Sequence, residues 1–336
     1  MKHKNRIINL FLTAALLVTV FLGCPNALHK LSVSLQSASR EESSAKEVHF
    51  AIQPSAAFIP LYVAKEEGWM EEALAEYGVT VHWHNFNSGP PINASMLKEE
   101  SDIGVLGDVP TVFAIGVGQE NVIIATAAQA ADSYAVLVPA DSAVTSAGQL
   151  KGKRVATVIG TTAHNLMSKY LASAGLSMKD VNFVNINASD AMNVLLKDRA
   201  DAVTIWEPSV TRIADAGAGR ILGEGSDCGL AGTNTLVARA DFAEKNPELV
   251  EVILEQYRRG AKALKDGLSE ETLQKIADYM SLDSEQILAL LPKFQYTVDI
   301  SQEDIDSLND TINFLFDVKQ LPTRYDISEY VYQSPD

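Results

Sequence analysis

The chain has 336 residues, of which 47% are hydrophobic, and its formal net charge at pH 7 is −16. This length exceeds the size at which a single hydrophobic core usually stops growing, so we expect two domains. The charge argues against nucleic acid and acidic membrane surfaces as partners, because both are polyanions. A small anionic ligand remains compatible, since exposed charges are screened beyond roughly 8 Å.

The first residues have the pattern of an export signal. Basic residues precede an apolar run over positions 7–22, which is short for a membrane span of about 20 residues. Residues 1–23 are therefore predicted to be a secretory signal peptide. Cys24 follows a small residue, as in a bacterial lipobox, so we expect a lipid anchor on an exported protein that faces the outside of the cell. Residues 24–46, rich in Ser and charge, would form a flexible tether.

From residue 47 onward the chain alternates short apolar runs, polar turns and helical patterns. The runs predict strands at 48–52, 79–84, 102–106, 122–126, 135–138, 155–159, 181–184, 201–206 and 234–238. The order strand, turn, helix in the first half recurs in the second. Two β-α-β-α-β units predict an α/β fold of two parallel-sheet lobes joined by a hinge.

The lobe boundaries follow from the position of this repeat. We expect lobe 1 to comprise residues 47–131 and 235–336, the latter being helical and packed on lobe 1. Residues 132–234 would form lobe 2, with the polar connection at Asp132 and Ser133 as the hinge. The glycine-rich passage 217–232 is interpreted as the return of the chain to lobe 1.

The stretch from Lys153 to Gly175 carries the main functional signal. A β-branched run ends at Gly160, and Thr161 and Thr162 then precede an apolar pattern with helical spacing. The free N–H groups and the dipole of a helix start favour an anion at this point. Alternatively, one of the two threonines only caps the helix, without any ligand.

Two acidic residues follow strands at the same offset in the two halves. Asp108 comes after the strand that starts at Asp102, and Glu207 comes after the strand that starts at Asp201. In α/β sheets ligands bind beyond the carboxyl ends of the strands, where these acids lie. If both face the cleft, they favour a zwitterion such as an amino sulfonate, or a cation. Otherwise they cap helices.

Other reactive residues predict neither a metal site nor catalysis. His82 and His84 share one face of a strand, and such a pair can bind zinc. No acid, cysteine or third histidine is placed in the sequence to complete a ligand set, so we expect a solvated face. Cys228 has no nearby histidine or basic group to lower the pKa of its thiol. We expect no cofactor, no metal and no enzyme activity.

Several motifs, in order and spacing, resemble one family. They are Pro-Leu-Tyr-Val-Ala-Lys-Glu-Glu-Gly-Trp, Asn-Ser-Gly-Pro-Pro, Asp-Ile-Gly-Val-Leu-Gly-Asp-Val-Pro, Gln-Leu-Lys-Gly-Lys-Arg-Val-Ala and Asp-Ala-Val-Thr-Ile-Trp-Glu-Pro. The chain is similar to solute-binding proteins of ABC importers, in the aliphatic sulfonate, taurine and nitrate branch. The resemblance implies a type II periplasmic-binding-protein fold, whose two lobes close over one solute and present it to a membrane permease and its ATPase. We expect a monomer.

The resemblance also implies the ligand-binding residues. They are Gln53, Ser55, Ser88, Gly89, Pro90, Gly107, Asp108, Asp132, Ser133, Thr161, Thr162, His164, Trp206 and Glu207. The oxygens of a sulfonate accept hydrogen bonds from N–H and O–H groups, and Trp206 would cover an alkyl tail or stack on a ring. The expected solute is an aliphatic sulfonate or taurine.

Other functions stay open at this point. Alternative solutes are nitrate and a pyrimidine precursor of thiamine. A sensory domain is a further alternative. An enzyme would use His164 as a base beside Thr161, but no third group orients that histidine.

Overall fold

The computed structural model describes residues 45–334. The predicted signal peptide, the lipidation of Cys24 and nearly all of the 24–46 tether lie outside these residues and stay predictions. Across the described range, no helix combines the length and the apolar character that crossing a membrane requires.

Within residues 45–334 the chain forms eleven strands and twelve α-helices. The strands are β1 Glu47–Ile52, β2 Thr80–Asn85, β3 Ile103–Gly107, β4 Asn121–Gln129, β5 Tyr134–Pro139, β6 Arg154–Thr157, β7 Asn182–Asn185, β8 Ala202–Trp206, β9 Gly219–Glu224, β10 Thr233–Arg239 and β11 Gln295–Tyr296. The helices are α1 Ile59–Glu66, α2 Trp69–Ala75, α3 Gly89–Leu97, α4 Asp108–Gly116, α5 Thr162–Ala172, α6 Ala191–Leu196, α7 Ser209–Asp215, α8 Ala240–Lys245, α9 Pro247–Asp266, α10 Glu270–Met280, α11 Ser284–Leu290 and α12 Gln302–Asp317.

The strands form two sheets, which confirms the prediction of two α/β lobes. The six-stranded sheet has the order β11-β4-β10-β3-β1-β2 and defines lobe 1. The five-stranded sheet has the order β7-β6-β8-β5-β9 and defines lobe 2. In each sheet the predicted β-α-β-α-β unit supplies three parallel strands. Antiparallel strands extend both sheets, so they are mixed rather than purely parallel.

The chain passes between the sheets twice, from β4 to β5 and from β9 to β10. The second passage corrects the sequence interpretation, because β9 lies inside the glycine-rich segment 217–232 that the sequence predicts to be a connection. Among the described strands, β9 pairs only with β5, at the edge of its sheet, and Ile221 in it is 40% exposed. An edge strand flanked by glycines gives little hydrophobic signal in the sequence.

Each lobe has its own apolar core. Lobe 1 buries Phe50, Tyr62 and Tyr257 between its sheet and helices α1 and α9. The core of lobe 2 lies on both faces of the strand pair β5 and β8. A third cluster joins α4 to α12. The C-terminal helices therefore pack on lobe 1, as the sequence predicted.

Helix α9 approaches α1 most closely at Gly260. A methyl group built there would collide with the backbone carbonyl of Pro60, and the next nearest atoms, also of Pro60, would lie at 2.8 and 3.1 Å. Backbone atoms cannot move aside as a flexible side chain can. The absence of a side chain at Gly260 lets α9 lie against α1 and cover the core of lobe 1.

We therefore expect Gly260→Ala to lower the unfolding temperature. Overpacking costs about 1–3 kcal/mol, which outweighs the gain in helix propensity of about 1 kcal/mol. Gly148→Ala is the matched control, because the nearest atom to its new methyl group would be Ala174 Cβ at 4.0 Å. Thermal denaturation of both variants tests the contact. Equal unfolding temperatures for Gly260→Ala and the natural chain would contradict it.

Candidate functional site

A cavity lies between the lobes, where the carboxyl ends of the parallel strands meet. Gln53 follows β1, Gly107 ends β3, Trp206 ends β8, and Thr161 lies in the turn after β6. The full lining is Gln53, Ser55, Phe58, Gly89, Gly107, Pro110, Tyr134, Thr161, Thr162, Trp206 and Asn234. Residues far apart in the sequence thus converge at one edge of each sheet, as expected for ligand sites in α/β folds.

The lobes touch across this cavity and leave little space. Its volume is about 20 Å³, which holds about one water molecule. Ala56 of lobe 1 donates its backbone N–H to the carbonyl oxygen of Glu207 in lobe 2, at 3.4 Å. The Thr162 hydroxyl of lobe 2 donates to Asp108 Oδ1 of lobe 1, at 2.5 Å. A solute can therefore enter only when the lobes separate.

Helix α5 starts at the cavity without a capping side chain. Thr161 has the extended backbone of an N-cap residue, yet its side chain accepts no hydrogen bond from the first turn. The Thr161 hydroxyl donates instead to the Val158 carbonyl at 2.7 Å. The sequence-based alternative that a threonine caps this helix is therefore not what the structure shows. The first N–H groups and the positive end of the dipole of α5 lie at the cavity.

Further polar groups at the cavity are neutral. The Ser55 oxygen accepts from Ala57 N–H at 3.4 Å, and the hydroxyl proton of Ser55 has no acceptor among the described residues. Gln53 Nε2 donates to the Val105 carbonyl at 2.9 Å, which fixes its side chain. In the described part of the chain, no Lys or Arg lines the cavity.

Sequence reasoning missed Tyr134 and Asn234, which lie side by side at the cavity. The Tyr134 hydroxyl donates to Asn234 Oδ1 at 2.9 Å. Burial raises the pKa of Tyr134, so its phenol stays protonated. Strand pairing places Tyr134 opposite Trp206 and Asn234 opposite Gly107. An amide inside an apolar strand was an available signal for Asn234, whereas Tyr134 resembles any core aromatic residue.

Asp108 lies behind the cavity rather than in its lining. It is 1% exposed, at the start of α4. Oδ1 accepts from its neighbour Val109 N–H at 2.6 Å and from the Thr162 hydroxyl, while Oδ2 accepts from the Thr311 hydroxyl at 2.8 Å. Burial raises the pKa of Asp108, and these hydrogen bonds partly offset that rise. The carboxyl group thereby joins α4, α5 and α12.

Glu207 also faces away from the cavity. Its Oε2 accepts from Thr211 N–H at 2.9 Å, inside the first turn of α7, and Oε1 accepts from the Thr211 hydroxyl at 3.1 Å. Lys293 forms an ion pair with it at 3.0 Å, and the Glu207 side chain is 0% exposed. For Glu207 the capping alternative is therefore what the structure shows. Neither acid is placed to hold a cationic group of a solute in the cavity.

Three predicted ligand residues lie away from the cavity. The Ser133 hydroxyl donates to the Ala130 carbonyl at 2.8 Å, and Asp132 accepts from Ser226 N–H at 3.1 Å, so both organise the connection between β4 and β5. Asp132 lines a separate groove of about 860 Å³. His164 lines another groove, of about 620 Å³, against α12. Burial lowers the pKa of His164.

Two further predicted residues, Ser88 and Pro90, are the sequence neighbours of Gly89, which lines the cavity, but they do not line it themselves. Ser88 precedes α3 and makes no capping hydrogen bond, and Pro90 follows Gly89 in the first turn. Proline has no N–H group, so the start of α3 offers few donors compared with α5. The predicted residues that do line the cavity are Gln53, Ser55, Gly89, Gly107, Thr161, Thr162 and Trp206.

Two α/β lobes with a cavity between the carboxyl edges of their sheets define the class of two-lobed periplasmic-binding-protein folds. The chain belongs to the NMT1/THI5-like family, whose profile matches residues 55–267, more than half of the sequence. A Bacillus subtilis (strain 168) protein named for aliphatic sulfonate binding is 26% identical over 295 residues, covering 88% of each chain.

Solved structures with the same fold include both binding proteins and enzymes. The alkanesulfonate-binding protein SsuA of Xanthomonas axonopodis pv. citri, bound to MOPS, aligns with a TM-score of 0.77 at 23% identity, covering 85% of this chain and 98% of that one. The desulfurization enzyme DSZB aligns with a TM-score of 0.66 at 14% identity, covering 85% of this chain and 96% of that one. The fold alone therefore does not decide the function.

The raised pKa of Asp108 gives a pH-dependent prediction. As pH rises, the folded chain keeps this proton after the unfolded chain has lost it, so stability falls through that interval. In Asp108→Asn the new amide keeps an oxygen that can accept from Thr162, and it does not titrate. We expect the unfolding temperature of Asp108→Asn to rise relative to that of the natural chain as the pH increases above the usual aspartate pKa of about 4.

Thermal denaturation across this pH range measures the difference. Asp299→Asn, at an exposed acid, is the control and should show no such trend. A difference between Asp108→Asn and the natural chain that stays constant with pH would show that the buried carboxyl group carries no such linkage.

Proposed function

We propose that the protein is the extracytoplasmic solute-binding component of an ABC importer and that its solute is an aliphatic sulfonate. The observation that carries the proposal is the uncapped start of α5 at the cavity between the lobes. The NMT1/THI5-like family membership and the relative named for aliphatic sulfonate binding support it. The SsuA likeness supports the fold that the mechanism needs.

The chemistry of the cavity suits a sulfonate. Three oxygens share one negative charge and accept hydrogen bonds from several directions. The start of α5 and the Ser55 hydroxyl supply donors from both lobes. Hydrogen bonds to charged groups contribute about 1.5–3 kcal/mol each, so several reach the roughly 8 kcal/mol of micromolar affinity without a lysine. Trp206, 8% exposed and part of the lining, offers an apolar face to an alkyl chain.

The positions of the two acids favour a plain alkanesulfonate over taurine. Asp108 is hydrogen bonded on both oxygens to protein groups, and Glu207 is paired with Lys293. Neither carboxylate lies in the lining, so the ammonium group of taurine finds no opposite charge there. We expect taurine to bind more weakly than ethanesulfonate.

Closure of the lobes supplies the mechanism. In this structure the lobes meet through Thr162 and Asp108. A solute that bridges both sides, with the lobes separated just enough to admit it, favours such a closed state over an open one. The closed form would then be recognised by a membrane permease that works with an ATPase. Lipidation at Cys24, a monomeric state and an extracytoplasmic location complete the proposal.

Catalysis on this fold is the less favoured alternative. Cys228 donates its thiol to the Gly225 carbonyl at 3.5 Å, and burial raises the pKa of that thiol, which disfavours a thiolate nucleophile. His164 lines a groove outside the cavity, and its Nδ1 has no hydrogen-bond partner among the described residues. Neither residue is oriented by an acid, as a nucleophile or a base would require.

The contribution of the α5 N-terminus can be isolated by two substitutions at Thr162, the first helical residue. Thr162→Ala removes the hydroxyl and keeps the N–H group. Thr162→Pro also removes the N–H group, in a position where proline fits a helix and after a residue with φ −119° and ψ 164°, which tolerates a following proline. We expect Thr162→Pro to bind ethanesulfonate about 10- to 150-fold more weakly than Thr162→Ala.

Calorimetric titration of the purified full chain with ethanesulfonate, taurine, nitrate, sulfate and a thiamine pyrimidine precursor makes the comparison. Gln302→Pro, at the same position of the exposed start of α12, is the control and should leave affinity unchanged. Equal affinities for Thr162→Ala and Thr162→Pro would show that the start of α5 does not bind the solute. If only the pyrimidine precursor binds, the proposed transport role would stand, and the proposal that the solute is a sulfonate would be wrong.

A further inference from the structure

A cluster of histidines lies on lobe 1, at the amino ends of β1 and β2. The two strands pair in parallel, with His49 opposite His82 and Ala51 opposite His84. Residues at alternate positions share a face, so Glu47 and His49 lie on the same side as the two histidines of β2. The expectation that no acid or third histidine completes the His82 and His84 pair is therefore wrong.

The side-chain geometry of this cluster suits a metal ion. The two carboxylate oxygens of Glu47 lie 3.5 Å from His49 Nε2 and 3.5 Å from His82 Nε2. One ligand atom from each of Glu47, His49 and His82 lies within 4.8 Å of the others. Ligands bound tetrahedrally to zinc at about 2.0–2.1 Å are separated by roughly 3.3 Å. Small movements would bring the three atoms to this spacing.

His84 holds the ring of His49 in a suitable orientation. His49 Nδ1 and His84 Nε2 are 2.9 Å apart and share a hydrogen bond. In the tautomer in which His84 Nε2 accepts from His49 Nδ1–H, the lone pair of His49 Nε2 is directed toward Glu47. Histidine ligands of metals commonly donate their other ring nitrogen in this way.

His82 provides an independent observation. Its Nε2 is buried and has no hydrogen-bond partner among the described residues. An unsatisfied buried polar atom costs free energy, and the Glu47 oxygen at 3.5 Å is too far to satisfy it. A metal ion bound to Nε2 would do so.

The stacking of the rings defines the movement that metal binding requires. The His49 and His82 rings stack with centroids 4.6 Å apart and planes 13° apart. A metal lies close to the plane of each imidazole that binds it, so the two rings must turn toward each other. The side chains of His49 and His82 are 30% and 39% exposed, which leaves room for that rotation.

We propose that Glu47, His49 and His82 form a Zn²⁺ site, with His84 as a positioning residue and water as the fourth ligand. Two imidazoles and one carboxylate are typical zinc ligands. The site is separate from the cavity between the lobes, because it lies where β1 starts, whereas Gln53 follows the end of β1. Zinc would fasten the edge strand β2 to β1.

Calorimetric titration of the metal-stripped full chain with zinc chloride tests the site. We expect one zinc ion per chain, and an affinity at least tenfold weaker in Glu47→Gln and in His82→Ala. His84→Ala should weaken binding by about tenfold, as outer-sphere partners do, and His84→Gln should restore it by accepting from His49. Glu72→Gln, at an exposed acid of α2, is the matched control for Glu47→Gln and should bind as the natural chain does.

Cobalt absorption gives a second readout, because tetrahedral Co²⁺ shows intense visible bands that His82→Ala should abolish. Unfolding temperatures measured without metal establish that the variants fold. Because the Glu47 side chain is 60% exposed, Glu47→Gln should fold as the natural chain does. Zinc binding that persists unchanged in Glu47→Gln and His82→Ala would place the ion elsewhere and overturn the proposal. The absence of zinc binding in the natural chain would also overturn it.

Discussion

A single buried carboxyl group connects the parts of this molecule that must act together. Asp108 accepts hydrogen bonds from its own helix, from Thr162 of the other lobe and from Thr311 of α12. Burying a charge is unfavourable unless it is compensated, and here three donors and a helix start compensate it. The start of α4 is thus occupied by a carboxyl group of the protein itself. The start of α5 has no side-chain cap from Thr161, and Asp108 contacts it only through the Thr162 hydroxyl. Under the proposed function, this asymmetry places an external anion at the start of α5.

Under the proposed function, the same arrangement explains how neutral groups would select an anionic solute in a chain with a net charge of −16. Donors fixed by the backbone need no reorganisation, and a closed cavity strengthens each hydrogen bond because water is excluded. Lys293 and Glu207 form an ion pair beside the connection between β4 and β5, where Lys293 also donates to the Asp132 carbonyl. Neither residue lines the cavity. Selectivity then depends on the geometry of donors and on the apolar face of Trp206.

Much of the fold could be predicted from the sequence, because its strands, turns and helices follow from local residue patterns. The run before Gly160 contains β6, Thr161 and Thr162 mark the start of α5, and the repeat corresponds to the two lobes. Contacts between distant segments could not be predicted in this way. The place of Asn234 beside Gly107, the capping role of Glu207 and the approach of His49 to His82 depend on strand register and helix packing, which no local spacing encodes.

The most direct test of the central claim is a crystal structure of the chain with ethanesulfonate. We expect closed lobes, with the sulfonate oxygens within about 3.2 Å of backbone N–H groups at the start of α5 and of the Ser55 hydroxyl. Its ethyl group should contact Trp206. A sulfonate bound instead in the groove that contains Asp132, or in the groove that contains His164, would contradict a ligand site at the start of α5.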